Sequence, residues 1–321
     1  MKFLARIALL PLLALSYLLA ACPPRFVGVL GRALGAFLRK LEFRKKIVDS
    51  NLELALGKEL SPQERELLSR KIFAHTGTLF FEIARNFGLS RKQMSSEVHV
   101  SEESNAKIWK ILEGGRGAVF ITGHIANWEL FAMGMAARKV PVSLVVKKMN
   151  NAVSQALIER QRERTGLEII YSGGAIEKMK VALSRGRAIG FMVDQNTTGT
   201  RGIRVNFFGV PAASIRGLAG LARDTGAAIV PVCAFRLPCG NHEMKIYDPL
   251  PFLSDTSLPA GSAELRAREE WLNTQQYQAS IERMVREHPE QWMWIHRRWK
   301  TNRAPLEPAS AHLENIASGP S

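Results

Sequence analysis

The residues best placed to do chemistry are His124 and Glu129, in Gly123-His124-Ile125-Ala126-Asn127-Trp128-Glu129. On one continuous helix this spacing sets the two side chains roughly 140° apart, so they cannot share a face. The apolar run Ala118 to Thr122 reads as a buried strand, and the pattern is helical from Asn127 onward. His124 is therefore expected in a strand-to-helix turn, where Gly123 allows the bend. Glu129 would occupy the first helical turn, where the helix dipole favours an acid, and its carboxylate can fold back to the imidazole. A neutral imidazole of pKa about 6.5 is suited to take a proton from an alcohol, and a carboxylate beside it fixes the tautomer and stabilises the imidazolium. The chemistry expected is acyl transfer to a hydroxyl that the substrate brings. It needs no nucleophilic Ser or Cys, no metal and no cofactor. An isolated His-x4-Glu is a weak motif, and its place at a strand C-terminus is what gives it weight.

The elements that must position this pair follow an α/β pattern. Ser61-Pro62-Gln63-Glu64 is a capping box with proline at the first helical position, which predicts a helix running to about Asn86. Short apolar runs then alternate with helical stretches. Strands are expected over Ala118 to Thr122, Val142 to Val146, Glu168 to Tyr171, Ala188 to Val193, Ala228 to Phe235 and near Glu243 to Tyr247. A further helix is expected over Gly261 to Glu287. The fold class is α/β, a mixed central sheet flanked by helices, with its working edge at the strand C-termini.

The 321 residues, 46% of them hydrophobic, are ample for such a core. Three cysteines, Cys22, Cys233 and Cys239, form neither a disulfide ladder nor a zinc pattern, which places the catalytic part in the cytoplasm. The net charge of +15 is concentrated: residues 1–46 hold nine Lys or Arg against Glu42 alone, and Trp292 to Arg303 adds four with no acid. Basic, apolar segments of this kind suit anionic lipid headgroups. Nucleic acid is disfavoured as a partner, because no nucleic-acid motif accompanies the charge.

Phe3 to Cys22 is almost uninterruptedly apolar, and about 20 such residues suffice to cross a bilayer. An uncleaved membrane anchor is the favoured reading; a cleaved secretory signal and a lipoprotein signal ending at Cys22 remain open. The organisation expected is a membrane helix at 1–22, an amphipathic basic interfacial segment at 23–60, an α/β domain at 61–303 and a disordered tail at 304–321. In the second segment Leu30, Leu34, Phe37, Leu38 and Leu41 share a helical face, and Arg25, Arg32, Arg39 and Lys46 recur as a basic stripe. An ordinary surface helix of the domain would show the same pattern.

Four ordered blocks carry a family resemblance. His124-Ile-Ala-Asn-Trp-Glu129 resembles the catalytic block of the lipid A late acyltransferases. Asp194-Gln195, the loop Gly199 to Gly202 and Asn206-Phe207-Phe208-Gly209-Val210-Pro211-Ala212 resemble the second block. Leu218-Ala219, Leu221-Ala222-Arg223, Gly226-Ala227 and Val230-Pro231-Val232 resemble the third, and His288-Pro289-Glu290-Gln291-Trp292 through Lys300 resembles the terminal one. Arg44 to Leu56 also looks like the family's N-terminal region. One departure stands out: many members carry Tyr-Arg-Pro-x2-Asn-Pro after the second strand, and here Lys147 takes the arginine's place, which keeps the charge without the bidentate fork.

The resemblance implies an acyl carrier protein thioester as donor and a lipid A precursor as acceptor, at the inner membrane with the catalytic domain cytoplasmic. The same chemistry on another amphiphilic acceptor, a glycolipid or aminolipid, is the alternative. A catalytically silent, membrane-tethered lipid-binding protein is a third. His124 and Glu129 are the catalytic candidates, with Asp194, Gln195, Asn127 and Lys147 in support. Asp194 either orients the site or caps a turn. Arg201, Arg204 and Arg216 either bind acceptor phosphates or are solvated. Phe207 and Phe208 either line an acyl groove or are core, and Trp292, Trp294 and Trp299 suit either the headgroup layer or a packed C-terminal segment.

Overall fold

Short strands buried on both faces build the sheet that carries the turn at His124. A computed structural model of the chain describes residues 2–148, 151–197 and 199–301. The expected tail over 304–321 and part of the segment after Lys148 lie outside the described residues. Helices are α1 (Lys2–Ala21), α2 (Pro24–Lys40), α3 (Lys45–Leu56), α4 (Pro62–Asn86), α5 (Arg91–Glu97), α6 (Glu102–Glu113), α7 (Trp128–Ala137), α8 (Ala152–Thr165), α9 (Ala175–Ser184), α10 (Gly217–Thr225) and α11 (Ala263–Glu287). Strands are β1 (Val98–His99), β2 (Ala118–Thr122), β3 (Val142–Val146), β4 (Glu168–Tyr171), β5 (Ala188–Met192), β6 (Gly202–Phe207), β7 (Val210–Ile215), β8 (Ala228–Arg236) and β9 (His242–Ile246).

Seven strands form one sheet in the order β1-β9-β8-β2-β5-β3-β4, parallel except for the antiparallel β8–β9 pair. The fold is thus α/β with a mixed sheet. The two-residue period of a strand divides the core: Val119, Ile121, Ile189 and Ile229 face one apolar layer, and Ala118, Phe120, Ala188 and Val230 face the other. The Ser61 capping box forms as expected, with the Glu64 side chain returning to the Ser61 backbone at 2.8 Å. The antiparallel hairpin β6–β7, which packs on α11, was not foreseen. Its turn takes Phe208 and Gly209 to φ of 55° and 67°.

The N-terminal expectation is corrected. No helix among the described residues is long and apolar enough to cross a membrane. The C-terminal half of α1 is docked on the domain instead: Ser16, Leu19 and Ala20 are buried, and the Leu19 carbonyl accepts from Arg85 Nε at 3.0 Å. Leu10, Leu12, Leu15 and Leu18 are left exposed on its outer side.

The face that α2 buries also differs from expectation. It consists of Val27, Gly28, Gly31 and Gly35, whereas Phe37 and Leu41 are exposed and Leu30, Leu34 and Leu38 half-buried. Small residues let α2 and α4 approach backbone to backbone. The basic stripe stops at Arg39, because left-handed turns at Glu42 and Arg44 separate α2 from α3. A Cβ at Gly77 of α4 would fall 2.2 Å from the Gly31 carbonyl oxygen and 2.4 Å from the Gly35 nitrogen. Backbone on both sides cannot rotate away, so Gly77→Val is expected to cost at least about 1–3 kcal/mol, read as a lower denaturant midpoint. An unchanged midpoint would refute this packing.

Candidate active site

Parallel pairing of β2 with β5 brings the site together. Thr122 lies opposite Met192, and His124 and Asp194 each stand two residues beyond those paired ends. Asp194 Oδ1 meets His124 Nδ1 at 2.7 Å, while Oδ2 accepts from the His124 backbone N–H and from Trp292 Nε1, both at 2.8 Å. The carboxylate at the ring is therefore Asp194 rather than Glu129. A carboxylate only accepts, so Nδ1 carries the proton and Nε2 is left to accept. Gln195 Nε2 lies 3.0 Å from that atom and donates to it.

The turn has its own devices. A Cβ on Gly123 would lie 3.2 Å from Asp194 Oδ2, so this glycine serves the close approach of the carboxylate, and the left-handed residue is Ala126, at φ 46°. Asn127 is fully buried and caps α7 by accepting from Leu130 N at 3.0 Å, while Asn86 of α4 donates to the same oxygen. The Trp128 ring meets His124 edge-on, 4.7 Å between centroids.

A strap from the C-terminal block closes the back of the turn. Ala126 N donates to Gln291 O, Met293 N donates to His124 O, and Trp292 bridges Ile125. Asn51 of α3 in turn holds the carbonyls of Trp294 and His296, at 2.8 and 2.7 Å. Trp292, Trp294 and Trp299 are all buried, so they are core and do not face a headgroup layer.

Charge follows from this burial. Burial alone would lower the His124 pKa, but the charge and hydrogen bond of Asp194, with the charge of Glu129, lift it above 6.5. Burial works to raise Asp194, yet His124 and Trp292 hold its carboxyl well below the usual range. Burial raises Glu129 against a hydrogen bond with Trp128 and the charge of His124.

Beside the dyad runs an apolar pocket between α7 and the sheet. Thr122, Glu129, Trp128, Val146 and Met192 stand towards the strand C-termini, with Phe120, Gly190, Leu144, Val142 and Met135 deeper. Glu129, half-buried in the first turn of α7, therefore lies on the pocket wall.

The other candidates divide. Lys147 is exposed just beyond β3. Arg201 and Arg216 meet through their backbones at the open end of the β6–β7 hairpin, where Arg216 also pairs with Glu270 at 3.5 Å. The Arg204 carbonyl accepts from Trp271. Phe207 and Phe208 are buried against Trp292, Trp294 and Trp299, behind Asp194 and outside the pocket. Arg298, placed by the sequence in the terminal block without a role, is fully buried. It donates to Ala213 O at 2.6 Å and Ser214 Oγ at 2.5 Å and stacks over Phe207. Among the described residues no group of His, Cys, Asp and Glu could hold a metal ion.

An imidazole polarised by a buried carboxylate, at the end of a sheet and beside a slot lined almost wholly by hydrocarbon, defines an acyltransferase site. Comparison with known proteins gives that class its family. The chain belongs to the bacterial lipid A biosynthesis acyltransferases, whose family model matches residues 5–301. It is 27% identical to the lipid A biosynthesis lauroyltransferase of Escherichia coli K12, over 89% of each chain. It is 25% identical to the palmitoleoyltransferase of that organism, over 88% of this chain and 87% of the relative. The phosphatidylinositol mannoside acyltransferase of Mycolicibacterium smegmatis is 30% identical over 39% of this chain and 42% of its own.

The charge arrangement predicts a pH profile. The base form of His124 is lost as pH falls through its raised pKa, so log kcat/KM should fall on an acid limb above pH 6.5. Glu129→Gln removes one negative charge that raises that pKa and should move the limb to lower pH. An unmoved limb would remove Glu129 from the field at the ring.

Proposed function

We propose that the protein transfers a fatty acyl group from an acyl carrier protein thioester to a hydroxyl of a lipid A precursor at the cytoplasmic face of the inner membrane. The observation that carries this reading is the His124–Asp194 pair beside the apolar pocket, joined to its wall where the His124 ring meets Trp128, in a chain of this family. The acyl chain lies in the pocket with its thioester carbonyl near the first turn of α7, whose positive end favours the developing oxyanion. Nε2 of His124 takes the acceptor's proton as Gln195 yields its place and the oxygen attacks the thioester carbonyl. As the C–S bond breaks, the imidazolium gives that proton to the leaving carrier thiolate, with Asp194 holding the tautomer and stabilising the imidazolium throughout. Glu129 adds negative charge at the pocket wall. Lys147, exposed at the end of β3, and the Arg201/Arg216 end of the hairpin are the cations assigned to the anionic substrates. The +15 chain attracts an acidic carrier protein and a phosphorylated acceptor alike, and the attraction weakens with salt. The outer sides of α1 and α2, with Leu10, Leu15, Leu18, Phe26, Val29 and Phe37 exposed among basic residues, lie in the membrane interface.

A second acceptor is favoured by one observation, the likeness to mycobacterial phosphatidylinositol mannoside acyltransferases at 30–33% identity over part of the chain. Incubating purified protein with labelled acyl carrier protein and a panel of lipid A precursors, glycolipids and aminolipids, read by mass spectrometry, separates the two. Acylation of a lipid A precursor, abolished in His124→Ala, is the expected result. Acylation of another amphiphile alone would replace the acceptor, and transfer unaffected by His124→Ala would overturn the chemistry.

A further inference from the structure

A second cavity, a cleft of about 510 Å³, opens between α2, α4 and the β8–β9 turn, on the far side of the C-terminal strap from His124. Its walls carry Arg25 and Arg32 from α2 and Lys71, His75 and Glu82 from α4, with Arg236 from β8. The charges are unequally spent. Arg236 grips Glu82 through two hydrogen bonds of 2.6 Å, so those two cancel, and Glu290, beside His288 at 3.7 Å, is left as one carboxylate against three cations. Arg25, Arg32 and Lys71 have no ion pair or hydrogen bond among the described residues.

His75 fixes the Arg236 guanidinium. It is 5% exposed, and its Nδ1 lies 2.7 Å from Arg236 Nη1. A guanidinium can only donate, so Nδ1 accepts and the ring's proton sits on Nε2. That Nε2–H is buried without an acceptor. That nitrogen is closed off from solvent, so His75 acts on the cleft through Arg236, whose guanidinium it holds. The N-terminus of α2 lies at the same cleft, with no side-chain cap and no acid in its first turn, so its positive end is uncompensated. The rim is apolar, formed by Pro24, Val29, Leu237 and Pro238, and Val29 and neighbouring Phe26 are about half exposed.

Three free cations from α2 and α4 and the N-terminus of α2 border the same cleft, which suits the several acceptor oxygens of a phosphate. The apolar rim and the exposed Phe26 favour a phosphate attached to a hydrophobic body. We propose that this cleft holds the headgroup phosphate of an anionic lipid in the membrane on which α1 and α2 rest. The inference depends on that interfacial reading of the two helices and is independent of the acyl transfer reaction.

The test is co-sedimentation of the full-length protein with neutral phosphatidylcholine vesicles and with the same vesicles containing phosphatidic acid. Arg32→Gln with Lys71→Gln should weaken binding to the anionic vesicles by about tenfold, since each cation near such a surface contributes on the order of 1 kcal/mol. Lys110→Gln with Lys178→Gln, on α6 and α9, removes equal charge elsewhere and should change binding less than about twofold. Equal losses in the two double variants would reduce the effect to general charge and overturn the site. Unchanged binding in Arg32→Gln/Lys71→Gln would overturn it as well. Thermal stabilisation of the wild type by inorganic phosphate, absent in that variant while vesicle binding stays equal, would identify a free phosphate and refute the lipid source. Failure of the wild type to bind either vesicle would refute the interfacial reading itself.

Discussion

Asp194→Asn is expected to lower turnover by about 10²- to 10⁴-fold while leaving the fold intact. Asp194 Oδ2 accepts two fixed donors, the His124 backbone N–H and the Trp292 indole N–H. In an asparagine the amide oxygen must stay with those two, which turns the NH₂ group towards His124 Nδ1. The ring can then meet it only by accepting at Nδ1, and its proton moves to Nε2, the atom that should take the proton from the acceptor. The imidazole is still present but in the wrong tautomer. His124→Ala should be as damaging, and the double variant little worse than either, because residues acting as one unit are not additive. Steady-state rates with saturating thioester would show this, with a denaturant midpoint near wild type as the control. Activity of Asp194→Asn within a few-fold of wild type would remove Asp194 from the mechanism.

The second large effect is expected at Gly190. Phe120, Gly190 and Leu144 lie level with one another across β2, β5 and β3, and all three line the inner part of the pocket. A Cβ on Gly190 would fall 2.5 Å from Leu144 Cδ2, so a larger residue must push that leucine into the slot. Gly190→Val should therefore shorten the acyl chain that fits. Excluding three methylenes costs about 2.4 kcal/mol, roughly 50-fold in kcat/KM for the longest accepted donor. Shorter donors should keep most of their rate, and Leu144→Ala should shift the preference the other way. A series of acyl thioesters of graded length decides the matter. An equal loss at every length would show a damaged fold and refute the pocket as the seat of the chain.

Much of the sheet was legible in the chain because strands buried on both faces read as apolar runs. Ala118 to Thr122, Val142 to Val146 and Glu168 to Tyr171 begin and end where the pattern placed them. The β6–β7 hairpin was not, because Arg204, Asn206 and Pro211 interrupt its hydrophobicity and its packing surface on α11 is distant in sequence. His124 was legible at its turn and Asp194 as a residue that could orient the site, but the direct contact of Asp194 with the ring was not. Glu129 is the acid close to His124 in the chain, whereas Asp194 is 70 residues away. The available signal was that both residues follow buried strands at the same offset, which becomes a contact only if those strands are parallel neighbours. Trp292 gave no local sign of its bond to Asp194. The N-terminal helix misled for a different reason: its apolar length matched a bilayer, but Ser16, Leu19 and Ala20 are buried against the domain.

The strap that binds Gln291, Trp292 and Met293 to the turn also sets an order of events. Chains emerge from the ribosome N-terminus first. Helices α1 and α2 are thus delivered before the strands that carry His124 and Asp194, and the indole that fixes the carboxylate follows Asp194 by 98 residues. A nascent chain that lacks it carries both members of the dyad without the part that locks them together. Competence is in this way deferred until the strap has followed the sheet, long after the surfaces of α1 and α2 have become available.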